Sequence, residues 1–560
     1  MLRLQRLFYL FIILFLVSGT SLFSQNLFEV SKNMEIFSDI YKQLDLNYVD
    51  DIKPGQLMKT GIDAMLETLD PYTNYIPESD IEDYKFMTTG QYGGVGASIL
   101  KRDEYIVISE PYKGFAADKA GIIAGDVLLE INGNSTKNKS VDDVSNFLKG
   151  EPGSNIKLKI KRDDTVMDFV VSRENIQIDN IPYSGMLNDH IGYIRLNSFT
   201  QNAGKDVKDA FIKLREGGKL KGLVFDLRGN GGGLLNEAVN IANIFVDKDQ
   251  VIVNTKGRLA SSNSSYKTMM PAVDKEIPVV FIVDKNSASA SEILAGSMQD
   301  LDRAVILGQR SYGKGLVQNV LPVSYNAQVK VTVAKYYIPS GRCIQAIDYS
   351  HKDAEGNAGH VPDSLITAFK THNGRTVFDG GGIEPDVLMD PKKYSNIAQN
   401  LMAKYLVFDF ATKFKKEHTT IAGAKEFIIT DDIYSDFLSF IKTKNFDDYK
   451  TPSEKMLEEI KKNTEKEKYF DHIQSEYDAL KAKLIASKTH DLENNRYEIS
   501  ELLRDELLTR YYYQKGKIEA SLESDPEIAR AKEVVDNPEN YQSLLAGSGK
   551  KDNPDQKKKN

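Results

Sequence analysis

The stretch IPVVFIVDKNSASASEILAG (Ile277–Gly296) reads as a buried strand, a turn of small residues and a helix. Ile277–Val283 is an unbroken apolar run of strand length, and the turn that follows contains no residue large enough to continue it. Ser289-x-x-Glu292 has the spacing of a capping box, in which the serine oxygen accepts from the helix N-terminus and the glutamate reaches back. The same turn supports a second reading. A hydroxyl on a sharp strand-to-helix turn stands beside free backbone N–H groups that can stabilise an oxyanion. The G-x-S-x-G elbow of esterase-type folds is absent.

Working outward, residues 190–345 alternate strand and helix. Strands are expected at Ile191–Leu196, Gly222–Asp226, Ala304–Leu307 and Leu316–Leu321, and helices at Ala203–Glu216, Leu234–Val246 and Ser291–Gln299. Alternating units of this kind imply a layered α/β core with a mixed, at least partly parallel sheet. Residues 349–378 are polar and glycine-rich and read as a loop insertion. Upstream, residues 92–173 carry short β-like runs separated by Gly and Asn turns, with Val141–Leu148 as an amphipathic helix; this is a β-rich module of about 80 residues. Residues 26–90 show helical periodicity at Phe28, Met34, Ile36, Ile40 and Leu44, and again at Leu57, Ile62, Met65 and Leu69. That is too little to form a core alone. From about residue 395 the chain is charged and helical, and Phe470, Ile473, Tyr477, Leu480 and Leu484 draw one apolar stripe. The expected organisation is therefore a leader at 1–24, N-terminal helices at 25–90, the β-rich module at 91–175, the α/β core at 176–394, a helical C-terminal region at 395–548 and a basic tail at 549–560. The C-terminal helices are open to two readings, an assembly arm, which would make a homo-oligomer, or a clasp on the core.

Composition narrows the function. With 560 residues the chain is long enough for several domains, and its formal net charge of −8 gives no basic footprint for nucleic acid. A single cysteine, Cys343, excludes an intramolecular disulfide. None of the seven histidines pairs at helical ligand spacing and no H-E-x-x-H occurs, so no metal or other cofactor is expected. Arg3 and Arg6 precede the apolar run Leu7–Val17 and a polar exit at Ser18–Gln25, the layout of a secretory signal peptide cut at Ser24–Gln25. The protein is expected to be extracytoplasmic, most simply periplasmic. Membrane association would follow only if the segment stayed uncleaved.

Two further segments carry chemistry. GQRSYGKGLVQ (Gly308–Gln318) matches a phosphate-binding loop as far as Lys314, but Gly315 replaces the metal-binding hydroxyl and the next residues are β-like rather than helical, which argues against a nucleotide. Glycines on both sides of Lys314 instead let other chain segments approach it. DLRGNGGG (Asp226–Gly233) joins a strand to a helix through glycines whose N–H groups can face a developing negative charge.

Taken together these segments resemble the carboxyl-terminal processing, or tail-specific, proteases, serine peptidases with a PDZ domain beside an α/β catalytic core. LDPYTNYIP (Leu69–Pro77), AADKAGIIAGDVLLEINGNS (Ala116–Ser135) and YYIPSGRCIQ (Tyr336–Gln345) extend the likeness over most of residues 30–345. The resemblance implies Ser289 as nucleophile, Lys314 as general base and Gln318 as the lysine's partner, with the oxyanion held by the N–H groups of Ala290 and Gly232. It also implies that the β-rich module is a PDZ domain that takes protein or peptide substrates by a free, apolar C-terminus. The carboxylate nest falls at Tyr92–Gly96, including Gly94, Val95 and Gly96, and the pocket at Val95, Ile99, Val144 and Leu148. A non-catalytic peptide-binding chaperone or scaffold on the same fold is the alternative.

The chemistry sets conditions on the base. A free lysine has a pKa of about 10.4, whereas a general base works best near 7–8. Burial away from carboxylates favours the neutral amine, and an uncharged Gln can orient it. Four residues of straight strand span about 13 Å. For Lys314 and Gln318 to meet, the chain at Gly313–Gly315 must bend or the long Lys314 side chain must fold back.

Overall fold

A computed structural model describes residues 27–547, apart from 445, 447, 448 and 489. The leader 1–24 and the tail 549–560 lie outside the described residues. The chain divides into two compact units, Met1–Tyr75 with Val320–Val331, and Ile76–Asn319 with Thr332–Asn560.

In the first unit, a helix over 27–47 is followed by the helix Pro54–Glu67, which starts with proline at a position where no N–H is needed. The Tyr41 hydroxyl donates to the Pro54 carbonyl at 2.7 Å. Phe28, Met34, Ile36, Ile40 and Leu44, the periodic set, are all exposed.

The second unit opens with the β-rich module. Its sheet runs in the order Ala97–Arg102, Tyr105–Pro111, Val127–Ile131, Asn155–Arg162, Thr165–Ser172, all antiparallel. The alternation in NIKLKIKR is read directly by the sheet: Ile156, Leu158 and Ile160 are buried while Lys157 faces out. Helix Val141–Leu148 covers that apolar face, fixed at its start by a reciprocal cap between Ser140 and Asp143. Two flanking strands, Gln91–Gly94 and Glu174–Gln177, pair antiparallel where the chain enters and leaves the module.

The α/β core is a six-stranded mixed sheet, in order Tyr183–Met186, Ile191–Arg195, Gly222–Asp226, Val279–Val283, Val305–Gly308, Val387–Leu388. The first pair is antiparallel and the remaining neighbours are parallel. Every residue of Gly222–Asp226 and Val279–Val283 is buried, because both faces of the sheet are covered. Phe225 and Phe281 point into a layer built with the helices Ala203–Arg215, Leu235–Phe245 and Ala290–Asp300. Val224, Val280, Ile282 and Leu307 point the other way, onto Ile528, Val534, Val535, Tyr541 and Leu545 of the helices Pro526–Asp536 and Pro538–Leu545. The last two helices of the C-terminal region are thus the second layer of the core. Val535 packs over Gly222, where an added methyl carbon would lie 2.1 Å from its Cγ1. The Tyr541 hydroxyl accepts the Val279 N–H at 3.1 Å and lies 3.2 Å from the Val279 carbonyl.

The rest of the C-terminal region has its own core, shared by Asn396–Ala403, Leu406–Glu417, Asp431–Thr443 and Arg496–Ser521. The predicted apolar stripe lies on the helix Phe470–Lys488, but Tyr477 is buried while Leu480 is exposed, so only part of it packs. This region also grips the β-rich module. Arg102 makes a bidentate pair with Asp409 at 2.6 and 2.7 Å, and the Tyr513 hydroxyl donates to Asp118 at 2.9 Å, at a point where the helix breaks (φ 57°, ψ −165°). Residues 349–378, expected as a loop, instead hold strands: Ile347–Lys352 pairs with Ala358–His360, and Ala368–Lys370 with Thr376–Phe378. The sequence concealed them because strands this short carry no readable alternation.

Candidate active site

At the C-terminal end of Val279–Val283 the chain turns through residues 284–289 into the helix Ala290–Asp300. Hydrogen bonds fasten this turn to the glycine-rich turn after Gly222–Asp226. The Ser287 hydroxyl donates to the Leu227 carbonyl at 2.9 Å, while the Ala288 N–H (3.0 Å) and the Ser291 hydroxyl (2.9 Å) both donate to the Asn230 carbonyl. Ser289 sits at the helix N-cap with φ 58° and ψ −113°, a conformation that costs a non-glycine residue strain and persists only when its surroundings impose it. Ala290 is the first residue of the helix, so its N–H has no intrahelical acceptor.

Gly232 shows why glycine is required there. Its φ is +100°, and a methyl carbon would fall 2.8 Å from the Ser289 Cβ and 2.9 Å from the Ala290 nitrogen. Its N–H has a partner within the same turn. That group donates to the side-chain oxygen of Asn230 at 2.9 Å, and Asn230, fully buried, is held in turn by the Leu196 carbonyl at 2.8 Å. Gly232 forms the wall beside Ser289, and its amide is already engaged.

The Lys314 segment arrives from the neighbouring parallel strand Val305–Gly308. The Tyr312 N–H donates to the Ser287 carbonyl at 3.1 Å. Gly313 has φ +88°, and a side chain there would meet the Ala346 Cβ at 2.4 Å. Gly315 donates to the Gln345 side-chain oxygen at 2.7 Å. The chain then continues as the strand Leu316–Pro322, not the helix a phosphate-binding loop would open. Gln318 lies on that strand, with its side-chain nitrogen donating to the Thr332 hydroxyl at 3.2 Å. Its carbonyl end is the one that can accept from an amine.

Two buried side chains join the serine and lysine segments. The Glu292 carboxylate takes the Ser289 N–H at 2.8 Å and the Lys314 N–H at 2.9 Å on one oxygen, and the Ser311 hydroxyl at 2.6 Å and the Gly313 N–H at 2.7 Å on the other. The amide nitrogens of residues 289 and 314 are therefore no farther apart than two hydrogen bonds through a single atom. Tyr336, also buried, places its hydroxyl 3.3 Å from the Ser289 carbonyl and donates to the Lys314 carbonyl. The sequence reading gave Glu292 a capping role only and Tyr336 none. The signal available was a glutamate within an otherwise apolar and small-residue helix start. Glu292 reaches Lys314 at its backbone amide. Burial pushes the Glu292 carboxyl up to about 7, with the hydrogen bonds from Ser311, Lys314, Ser289 and Gly313 opposing that rise.

Beneath the glycine-rich turn, Asp226 is fully buried. Burial drives its pKa upward, but the adjoining Arg228 holds it below the usual carboxylate range. Arg228 also binds Asp525 at 2.7 Å and Glu527 at 2.6 Å, fastening the turn to the second-layer helix. This aspartate is a structural anchor. Among the described residues no group of three or more His, Cys, Asp and Glu side chains could hold a metal ion.

In the β-rich module, Ala97–Arg102 is an edge strand beside the helix Val141–Leu148. Gly96 has φ +74° and its carbonyl accepts the Tyr112 N–H at 2.8 Å. Ile99 is half-buried on the edge strand. The structure places Val95, Val144 and Leu148 in the module's core cluster, 2%, 0% and 5% exposed. Gly94 likewise pairs with Glu174 in the flanking strands.

Comparison with protein families matches residues 190–352 to "Peptidase family S41", 107–162 to "PDZ domain" and 397–535 to "Probable PDZ-protease, C-terminal helical domain". A carboxy-terminal-processing protease of Bartonella bacilliformis is 33% identical over 337 residues, 59% of this chain and 77% of that protein. A "Probable CtpA-like serine protease" of Staphylococcus aureus is 31% identical over 371 residues, 65% of this chain and 66% of that protein. Among solved structures, a photosystem II D1 C-terminal processing protease is similar with a TM-score of 0.36 and 28% identity, over 64% of this chain and 92% of that one. With a family S41 core, a PDZ domain and a relative of this similarity over most of its length, the chain belongs to the carboxy-terminal-processing proteases of peptidase family S41 and is a serine-type peptidase.

Proposed function

We propose that the protein is an exported endopeptidase that captures protein C-termini on its PDZ domain and hydrolyses peptide bonds with a Ser289–Lys314 dyad. The observation that carries this reading is the joining of two segments 25 positions apart in numbering, one bearing a strained N-cap serine and the other a lysine, through the Glu292 carboxylate. The neutral Lys314 amine takes the Ser289 hydroxyl proton as the oxygen attacks the substrate carbonyl carbon. The negative charge that develops on the carbonyl oxygen is met by the Ala290 N–H at the helix N-terminus. Collapse breaks the C–N bond, and the lysine ammonium returns its proton to the leaving amine. Water, deprotonated by the same amine, then releases the acyl group from Ser289. Gln318 orients the amine without adding charge.

Substrate selection falls to the edge strand Ala97–Arg102. An extended peptide adds to such an edge, and its terminal carboxylate meets backbone N–H groups at the loop containing Gly96. Export rests on the layout of residues 1–25; among the described residues no helix is long and apolar enough to cross a membrane. The test is cleavage of one unfolded protein substrate made with a free apolar C-terminus, an amidated one or a charged one. The free apolar end is expected to be cleaved at least about tenfold faster, the loss of about 1.4 kcal/mol of recognition. Equal rates for all three would remove carboxylate capture.

A further inference from the structure

We infer that Glu292 is a positioning residue for hydrolysis, a buried clamp that sets the separation of Ser289 and Lys314. The inference rests on the reading of those two residues as nucleophile and base. A helix cap needs only the Ser289 N–H and can be made by an exposed glutamate. Glu292 goes further: it is 1% exposed and its two oxygens take four donors from three chain positions outside its own helix turn as well as from Ser289. In its ionised form, which prevails above about pH 7, the carboxylate offers about four acceptor sites, and all four are used. The Ser311 hydroxyl extends the clamp by accepting the Ile383 N–H at 2.6 Å. Glu292 touches no reacting atom in this arrangement, because it holds both partners by their backbone amides. A shift in it moves the serine against the lysine.

An amide at this position would turn two N–H donors toward groups that themselves donate, so Glu292→Gln keeps the volume and loses the clamp. A misplacement of about 1 Å between reacting groups costs about 10²-fold in rate. The experiment uses the full chain and a peptide with a free apolar C-terminus, and compares Glu292→Gln and Glu292→Asp with Ser289→Ala and Lys314→Ala. The readouts are kcat and KM, the rate of Ser289 labelling by diisopropyl fluorophosphate, and folded fraction by circular dichroism. Glu292→Gln is expected to lose about 10²-fold in kcat and in labelling rate with KM within about threefold, and Glu292→Asp to recover part of the loss. A kcat within threefold of the parent in Glu292→Gln, with both dyad variants inactive, overturns the clamp and leaves the dyad standing. Activity in Ser289→Ala or Lys314→Ala brings down the reading beneath it. A loss of kcat that only tracks loss of folded protein assigns Glu292 a purely structural role. Should Glu292→Gln not fold, Ser311→Ala removes one donor without touching either partner; an unchanged kcat there overturns the clamp.

Discussion

Lys314→Ala is expected to lower peptide-bond hydrolysis by about 10⁴-fold or more while leaving the fold intact, and Ser289→Ala to match it. The size follows from the dyad acting as one unit: without the amine the hydroxyl keeps its proton, and without the hydroxyl the amine has nothing to activate. The two losses should not add, so the double variant is expected to be no worse than either single one. Retention of the fold follows from the surroundings. Lys314 and Ser289 are both only partly buried, and the glycines and carboxylate that shape their turns act on backbone atoms. Hydrolysis of a chromogenic peptide, with circular dichroism on the same samples, measures both.

Ending the chain at Ser524 is expected to abolish folding of the peptidase core, although every residue proposed for chemistry would still be present. The truncation removes Ile528, Val534, Val535, Tyr541 and Leu545, all buried on the sheet face that carries Val224, Val280, Ile282 and Leu307. At about 1.5–3 kcal/mol for each large buried side chain the loss is on the order of 10 kcal/mol, comparable with the entire net stability of a domain. It also strips Arg228, a partly buried cation, of Asp525 and Glu527 and leaves it with Asp226 alone. Soluble, protease-resistant protein from that truncation would contradict the two-layer assignment. Tyr541→Phe, by contrast, loses only the hydroxyl's bonds to Val279 and to the Arg303 carbonyl and is expected to cost about 1 kcal/mol.

Glu292 also leaves a mark on stability. Its folded-state pKa is raised to about 7, so the native protein binds a proton there that the unfolded chain releases at lower pH. The associated stabilisation is fully present below the unfolded value of about 4.3 and is lost as pH rises to about 7, roughly 3–4 kcal/mol in all. Denaturant unfolding of the parent between pH 5 and 8 should show that decline and Glu292→Gln should lack it. Identical slopes would contradict a buried, titrating carboxyl.

The features legible in the sequence were those whose signal is local. Gly222–Asp226, Val279–Val283 and the turns at Asp226–Gly233 and Ser287–Glu292 stand out because an apolar run meets glycines or small residues over a few positions. Gly232, Gly313 and Gly315 could be read as points of close approach, and the structure supplies their neighbours. What stayed hidden depends on partners distant in the chain. The Ser289–Glu292 spacing is fully explained by a local cap, so nothing in it points to the bonds with Gly313 and Lys314. Val534 and Val535 sit in a charged helix whose apolar side is narrow, and only the bare face of the sheet shows what they cover. The resemblance to PDZ domains puts Val144 and Leu148 at a peptide pocket, and the packing shows them in the module's own core cluster, a contact with partners distant in the chain.

The central claim is that Ser289 is a nucleophile activated by Lys314. Its most direct test is reaction of the full-length protein with diisopropyl fluorophosphate, followed by mass mapping of the adduct and repetition with Lys314→Ala. A single phosphorylated peptide carrying the adduct on Ser289, formed at least about 10²-fold more slowly in the lysine variant, is the predicted result. An adduct on another serine, or labelling of Ser289 at an undiminished rate without the lysine, would contradict it.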